Sequence, residues 1–175
     1  LDAFIDKDIE KARGVTLRDD IVDAAFDRVV LSLTNIMREN AEAVPQAVDM
    51  LFVAKYLERI ADHAVDILKS AEEMRDKEIS FSPEAAREMD VLMRAVEEIL
   101  TLTFRAFHEN DARLASRVEP LEQVIDTLKE ELRTRHILRM TKGECSAEAG
   151  FVWSDLLTSL ERTADHCSNV AGCVM

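Results

Sequence analysis

The sequence predicts an all-α protein of two tandem antiparallel three-helix bundles, the first bundle lacking most of its first helix. Three observations lead there. Gly and Pro number only four and three in 175 residues, while Leu, Ala, Glu, Arg and Met abound, a composition that favours helices over strands. No stretch alternates apolar and polar residues as a strand would; the apolar positions recur at spacings of three and four. A phrase about a third of the way along, LERIADHAVDI (Leu57–Ile67), returns as LERTADHCSNV (Leu160–Val170).

The elements follow in order. From about Asp8 to Arg38, Ile9, Ala12, Val15, Val22, Phe26, Val29, Leu33 and Met37 trace one face of a long amphipathic helix. Asn40 to Val44 reads as a connection, with Pro45 tolerated in the first turn of a second helix that fades near Arg75. Asp76 to Ser82 reads as a polar linker. Ser82-Pro83-Glu84 then supplies an N-cap, a proline at the first helical position and an acid in the first turn, and that helix runs to about Glu109. After a turn at Asn110, a helix is expected from Asp111 to about Arg139 with a kink near Pro120. Thr141-Lys142-Gly143 stops it, and Ser146 caps a last helix that continues to the end.

A single offset relates the two halves. Phe107, Asp126 and Glu161 each lie 103 positions after Phe4, Asp23 and Glu58, and the same offset joins Asp8 to Asp111, Ala12 to Ala115 and Val15 to Val118. A constant offset across helices and their loop indicates duplication. Helices joined by short turns pack antiparallel, so residues 1–75 form one repeat, 76–82 a linker and 83–175 the other. Leu1 corresponds to Phe104, which leaves the first repeat without most of its first helix; with no Met at the start, the chain reads as a segment of something longer.

Charge narrows the function. The formal net charge is −13, with no basic run, so nucleic acid and anionic lipid would repel the chain. No apolar run is long enough for a membrane span. Three cysteines, Cys145, Cys167 and Cys173, form no CxxC pair, and neither a disulfide framework nor a zinc ribbon is suggested. Reduced thiols and an acidic surface point to the cytoplasm.

The repeated phrase carries the candidate chemistry. Glu58 and Asp62 stand one helical turn apart on one face, as do Glu161 and Asp165; the other long helix of each repeat adds Asp19 with Asp23 and Glu122 with Asp126. Each like-charged pair costs a helix roughly 0.2–0.5 kcal/mol. One such pair in an acidic protein is ordinarily a solvated face. Four at matching places in two repeats form a consistent cost that a bound cation would offset. Four carboxylates on two facing helices follow the ligand logic of di-metal bundles, and carboxylate oxygens suit iron, manganese or magnesium, with a nearby imidazole extending the range to zinc or nickel.

The neighbours have alternative roles. Arg59 and Arg162 serve as salt-bridge partners or as functional groups. His63 and His166 are ligands, groups that orient the carboxylates, or half-buried interface residues. Asp66 and Asn169, one turn beyond, hydrogen-bond or extend the site. His108 and His136 lack counterparts and read as surface residues. Cys167 reads as a small buried hydrophobe. No nucleophile elbow, P-loop or HExxH occurs, and the Glu-x-x-His of oxidase-type di-iron bundles is missing, so a non-enzyme is expected, with a di-metal bundle enzyme as the rival.

At these residues the sequence resembles the PhoU family along essentially its whole length. AKYLERIADHAVDIL (Ala54–Leu68) is similar to that family's signature in its third helix, and SLERTADHCSNVA (Ser159–Ala171) to the repeat in its sixth. The resemblance implies two tandem three-helix bundles and metal-binding E(D)xxxD motifs that hold multinuclear iron clusters. By motif, Asp19, Asp23, Glu58 and Asp62 would form one ligand set and Glu122, Asp126, Glu161 and Asp165 the other. It implies further a regulator of phosphate uptake and phosphate-starvation signalling that contacts a phosphate ABC transporter and a sensor histidine kinase, reaching the membrane only through them; homodimerisation stays open. A second branch of the family is a cytoplasmic tail of sodium/phosphate cotransporters, and Arg135–Ala171, with its Gly143-Glu144-Cys145 turn, resembles that branch. Asp19 departs from the motif's glutamate and shortens one ligand's reach.

Overall fold

The computed structural model describes residues 9–175. All regular structure among them is helical: α1 (Ile9–Glu39), α2 (Val44–Asp76), α3 (Pro83–Glu109), a single turn α4 (Ala112–Ala115), α5 (Val118–Thr141) and α6 (Ala147–Gly172), with a 3-10 turn at Ala41–Ala43. The all-α class is as expected. The expected remnant of a first helix in the first repeat falls on residues 1–8, outside the described residues.

Local chemistry sets most of the helix ends. Asn40 accepts a hydrogen bond from the Glu42 amide at 3.0 Å, and Pro45 sits in the first turn of α2. Ser82 accepts from the Ala85 amide at 3.2 Å and Ser146 from the Ala149 amide at 3.1 Å, so both predicted serine caps are in place. Three helices end on a left-handed residue, Glu78 (φ 53), Asn110 (φ 49) and Gly143 (φ 72). In each case the next amide donates back across the turn: Ile79 to Met74 O, Asp111 to Ala106 O and Glu144 to Arg139 O, at 2.7, 3.0 and 2.9 Å.

The kink expected at Pro120 is instead a full break between α4 and α5, before the proline. Pro120 lacks an amide hydrogen and its ring would crowd the carbonyl four residues back, at Ser116. The chain therefore leaves the helix at Ser116-Arg117 and restarts at Val118, where a proline in the first turn loses nothing.

α6 is the central helix. It packs against α2 on one side and against α3 and α5 on the other, and Trp153, Leu156, Leu157, Leu160, Ala164 and Cys167 are all 2% exposed or less. α3 adds Met89, Leu92, Val96 and Ile99, and α5 adds Val118, Ile125 and Leu132. The hairpin of α1 and α2 lies outside this bundle and joins it along α2 and α6. The segment between α2 and α3 is less polar in its packing than its composition suggests: Ile79 and Phe81 rest on the core, Phe81 edge-on to Trp153 with ring centroids 5.0 Å apart.

Candidate metal centre

The two long hairpins place the predicted carboxylates on facing helices, Asp19 and Asp23 of α1 opposite Glu58 and Asp62 of α2, and Glu122 and Asp126 of α5 opposite Glu161 and Asp165 of α6. Their mutual influence is visible in protonation. The Asp19 carboxyl is pushed above the ordinary carboxylate value by burial first, then by Asp23, Asp62, Asp20 and Glu58. Glu122 is raised by burial, then by Asp126, Asp165, Glu161 and Glu119. In each set, carboxylates on two helices share one electrostatic locus. Within the two pairs of the repeated phrase, Glu58 and Glu161 are the more covered, with 16% and 17% of their side chains exposed, while Asp62 and Asp165 lie nearer the surface at 36% and 40%. Asp19 Oδ1 is buried and has no hydrogen-bond partner among the described residues.

Basic side chains share these loci. Lys55 Nζ lies 2.8 Å from Glu58, and Arg59 lies 2.9 Å from Asp62. In the second set Lys129 lies 3.8 Å from Asp126 and 3.9 Å from Glu161, with Arg162 3.6 Å from Asp165. Arg59 and Arg162 thus take the salt-bridge role. Lys55 and Lys129 were not singled out by sequence reasoning, although each stands three residues from a motif carboxylate on its own helix. Among the described residues, no three His, Cys, Asp or Glu side chains stand together closely enough to hold a metal ion. The donor set and the orphaned Asp19 oxygen fit a hard cation in kind. The side-chain orientations in this structure serve lysine and arginine, and Glu58, Asp62, Asp126, Glu161 and Asp165 would have to turn from them to a metal.

The histidines occupy the seam between the repeats. His63 of α2 and His166 of α6 stack with centroids 5.5 Å apart and planes 19° from parallel, and Tyr56 stacks on His166 at 5.8 Å. Desolvation lowers both imidazole pKa values, so both are neutral at pH 7, and each Nδ1 is buried without a hydrogen-bond partner among the described residues. They are interface residues. Asp66 pairs with Lys69 at 3.0 Å, and the Asn169 amide donates to the Asp165 carbonyl at 2.9 Å, so neither adds to the carboxylate sets. Cys167 is fully buried with its thiol pushed up to about 12, an inert hydrophobe as expected.

His108 is exposed as anticipated, but the surface reading of His136 is wrong. His136 is 4% exposed and stacks on Trp153 at 4.9 Å. It follows Leu132 by one turn on the buried stripe of α5, and its flat ring fills the space against the indole.

Comparison with known proteins agrees with this architecture. The family model for the PhoU domain matches residues 1–71 and 90–174. A Clostridium acetobutylicum protein named phosphate-specific transport system accessory protein PhoU homolog is 43% identical over 70 residues, covering 40% of this chain and only 32% of that protein. A Thermotoga maritima homologue of the same name, numbered 1, is 26% identical over 162 residues, covering 91% of this chain and 69% of its own length. PhoU from Pseudomonas aeruginosa superposes with a TM-score of 0.90 at 23% identity, over 98% of this chain and 83% of that one. The phosphate transport system regulatory protein PhoU from Streptococcus pneumoniae gives 0.84 at 20% identity, over 98% and 81%.

Proposed function

The chain belongs to the PhoU family, and on that premise we propose that it is a metal-binding regulatory protein of phosphate uptake, acting through contact with a phosphate ABC transporter and a sensor histidine kinase. The names of its curated relatives, accessory proteins of a phosphate-specific transport system, support the regulatory part. The reading places the chain in the cytoplasm, at the inner face of the membrane only through its partners; no described helix is long and apolar enough to cross a membrane.

The observation that carries the metal part is the shared locus in each repeat, where Asp19 and Glu122 feel carboxylates from the opposite helix and Asp19 Oδ1 has no partner among the described residues. Asp19, Asp23, Glu58 and Asp62 would hold one set of ions, and Glu122, Asp126, Glu161 and Asp165 the other, with iron clusters the first candidate and zinc, nickel or manganese the next. Bound ions would supply positive charge at the seam between two helices. Lys55, Arg59, Lys129 and Arg162 fill that need in this structure, and they would swing to solvent on loading. The chain's own work is then to hold α1 to α2, and α5 to α6, in the spacing a partner reads.

Elemental analysis of protein loaded with iron and desalted tests this directly. Glu161→Ala with Asp165→Ala should remove about half the bound metal, and Glu58→Ala with Asp62→Ala the other half. Equal, negligible metal in parent and variants would end the metal reading. The regulatory part is read separately, as phosphate uptake in cells with and without the chain; uptake indifferent to its presence would end that part.

A further inference from the structure

The turn between α5 and α6 brings three soft donors together, well away from the carboxylate sets. Asp126 and Met140 are 14 residues apart on α5, about 21 Å along the helix axis. Gly143 takes the left-handed conformation, and the Glu144 amide donates back to Arg139 O at 2.9 Å. That turn folds Cys145 over the end of α5, where its Sγ lies 3.4 Å from His136 Nε2. Met140 follows His136 by four residues and so stands on the same side of α5. A Cβ at Gly150 of α6 would lie 2.8 Å from Met140 Sδ and 3.7 Å from His136 Nε2. The bare glycine leaves that point clear, and thioether and imidazole converge on it.

Each donor is placed to bind. His136 is 4% exposed, its ring is set by the stack on Trp153, and its Nδ1 is buried with no partner among the described residues. Nε2 is the nitrogen directed at Cys145. Cys145 is half-buried and, with His136, lines a cavity of about 280 Å³, which gives a small ion room to arrive. Met140 also keeps part of its surface open to water. With metal–sulfur and metal–imidazole bonds of about 2.3 and 2.0 Å, donors 3.4 Å apart meet a shared ion at about 105°, close to a tetrahedral angle. The same spacing suits an S–H···N hydrogen bond, so the pair is formed in advance and an ion need only replace the thiol proton.

Ligand type and charge select the ion. Thiolate and thioether are soft ligands that favour copper(I), whereas zinc takes thiolate, imidazole and carboxylate. Burial holds the Cys145 thiol above its ordinary value, with Arg139 opposing, so the thiol is protonated at pH 7. Copper(I) would form the Cu–S bond as the S–H bond breaks, release that proton to water and leave the net charge unchanged. A divalent ion would add a positive charge near Arg139, whose guanidinium is already matched by Glu88 at 2.8 Å. Glu144 and Glu148 also line the cavity, but both are exposed and screened by water.

We propose that Cys145, His136 and Met140 form a binding site for one copper(I) ion.

The intact, reduced protein is titrated under nitrogen with copper(I), supplied as its acetonitrile complex, against a chromogenic copper(I) chelator. One ion per chain should be withdrawn from the chelator. Cys145→Ser should weaken that binding by roughly a hundredfold or more, and Met140→Leu, which keeps the apolar bulk, by about tenfold. Cys173→Ser removes an exposed thiol and should leave the affinity unchanged. So should Glu161→Ala with Asp165→Ala, which separates this site from the carboxylate sets. Cobalt(II), the divalent probe, should give no thiolate-to-metal charge-transfer band, a signal that metal on carboxylates cannot produce. Unaltered copper(I) affinity in Cys145→Ser or in Met140→Leu would overturn the proposal. So would a failure to hold copper(I) against the chelator, or a cobalt–thiolate band saturating at one ion per chain.

Discussion

His136 illustrates how a side chain's role follows the stripe it occupies. Val118, Ile125, Leu132 and Arg139 recur every seven residues along α5, and all four are buried. His136 lies between the last two and takes its burial from them. The repeat-based reading weighed residues by a counterpart 103 positions away, so it flagged the eight carboxylates, set His136 down as a surface residue and passed over Arg139. Reading the seven-residue seam to its end would have shown a cation in an apolar slot. Burial, and then the Arg139 charge, hold the imidazole below its ordinary value of 6.5, with Glu88 opposing. The unfolded chain therefore binds a proton before the folded one does, and stability falls as pH drops below about 6.5. His136→Phe keeps a ring on Trp153 and removes that proton. Thermal midpoints between pH 7.5 and 5 should fall less steeply in the variant; His63 and His166 titrate in both proteins and cancel. Parallel curves would show that His136 contributes nothing to the acid sensitivity.

At the level of elements, what was legible was what local chemistry decides. Ser82 and Ser146 announce their helices because a side-chain oxygen before an apolar run has one obvious use, an orphan amide two or three residues on. Gly143 and Asn110 likewise announce left-handed ends. Glu78 does not, because glutamate has no preference for that conformation; the docking of Ile79 and Phe81 on the core imposes it. The two ends make opposite predictions. Ser146→Ala should cost about 1 kcal/mol by losing the cap, lowering the thermal midpoint by about 2–4 °C for a chain of this size. Glu78→Gly relieves a left-handed residue costing roughly 1–2 kcal/mol but adds freedom to the unfolded chain, so the midpoint should rise by about 1–3 °C. A lower midpoint for Glu78→Gly would mean that the turn is not strained.

Over the whole molecule, the constant offset between two stretches of sequence was readable but the docking of the helices that carry them was not. A constant offset says that α2 and α6 are equivalents; it does not say that they face each other. The structure pairs them, and equivalent residues, His63 and His166, meet face to face between the two hairpins. Polar residues there looked like part of the metal chemistry because they adjoin Asp62 and Asp165 in sequence. On a helix, adjacent residues point about 100° apart, so the aspartates can face their own hairpin partners while the histidines face the other repeat. If the stack joins the repeats, its two members are coupled in stability and not in metal content. Urea unfolding of the parent, His63→Ala, His166→Ala and the double variant should give a coupling of about 0.5–1.5 kcal/mol. Metal bound per chain should stay the same in all four. Additive losses within about 0.3 kcal/mol would mean that the rings merely share space. Metal lost from either single variant would return the histidines to the carboxylate sets, and the seam between the repeats would then need another explanation.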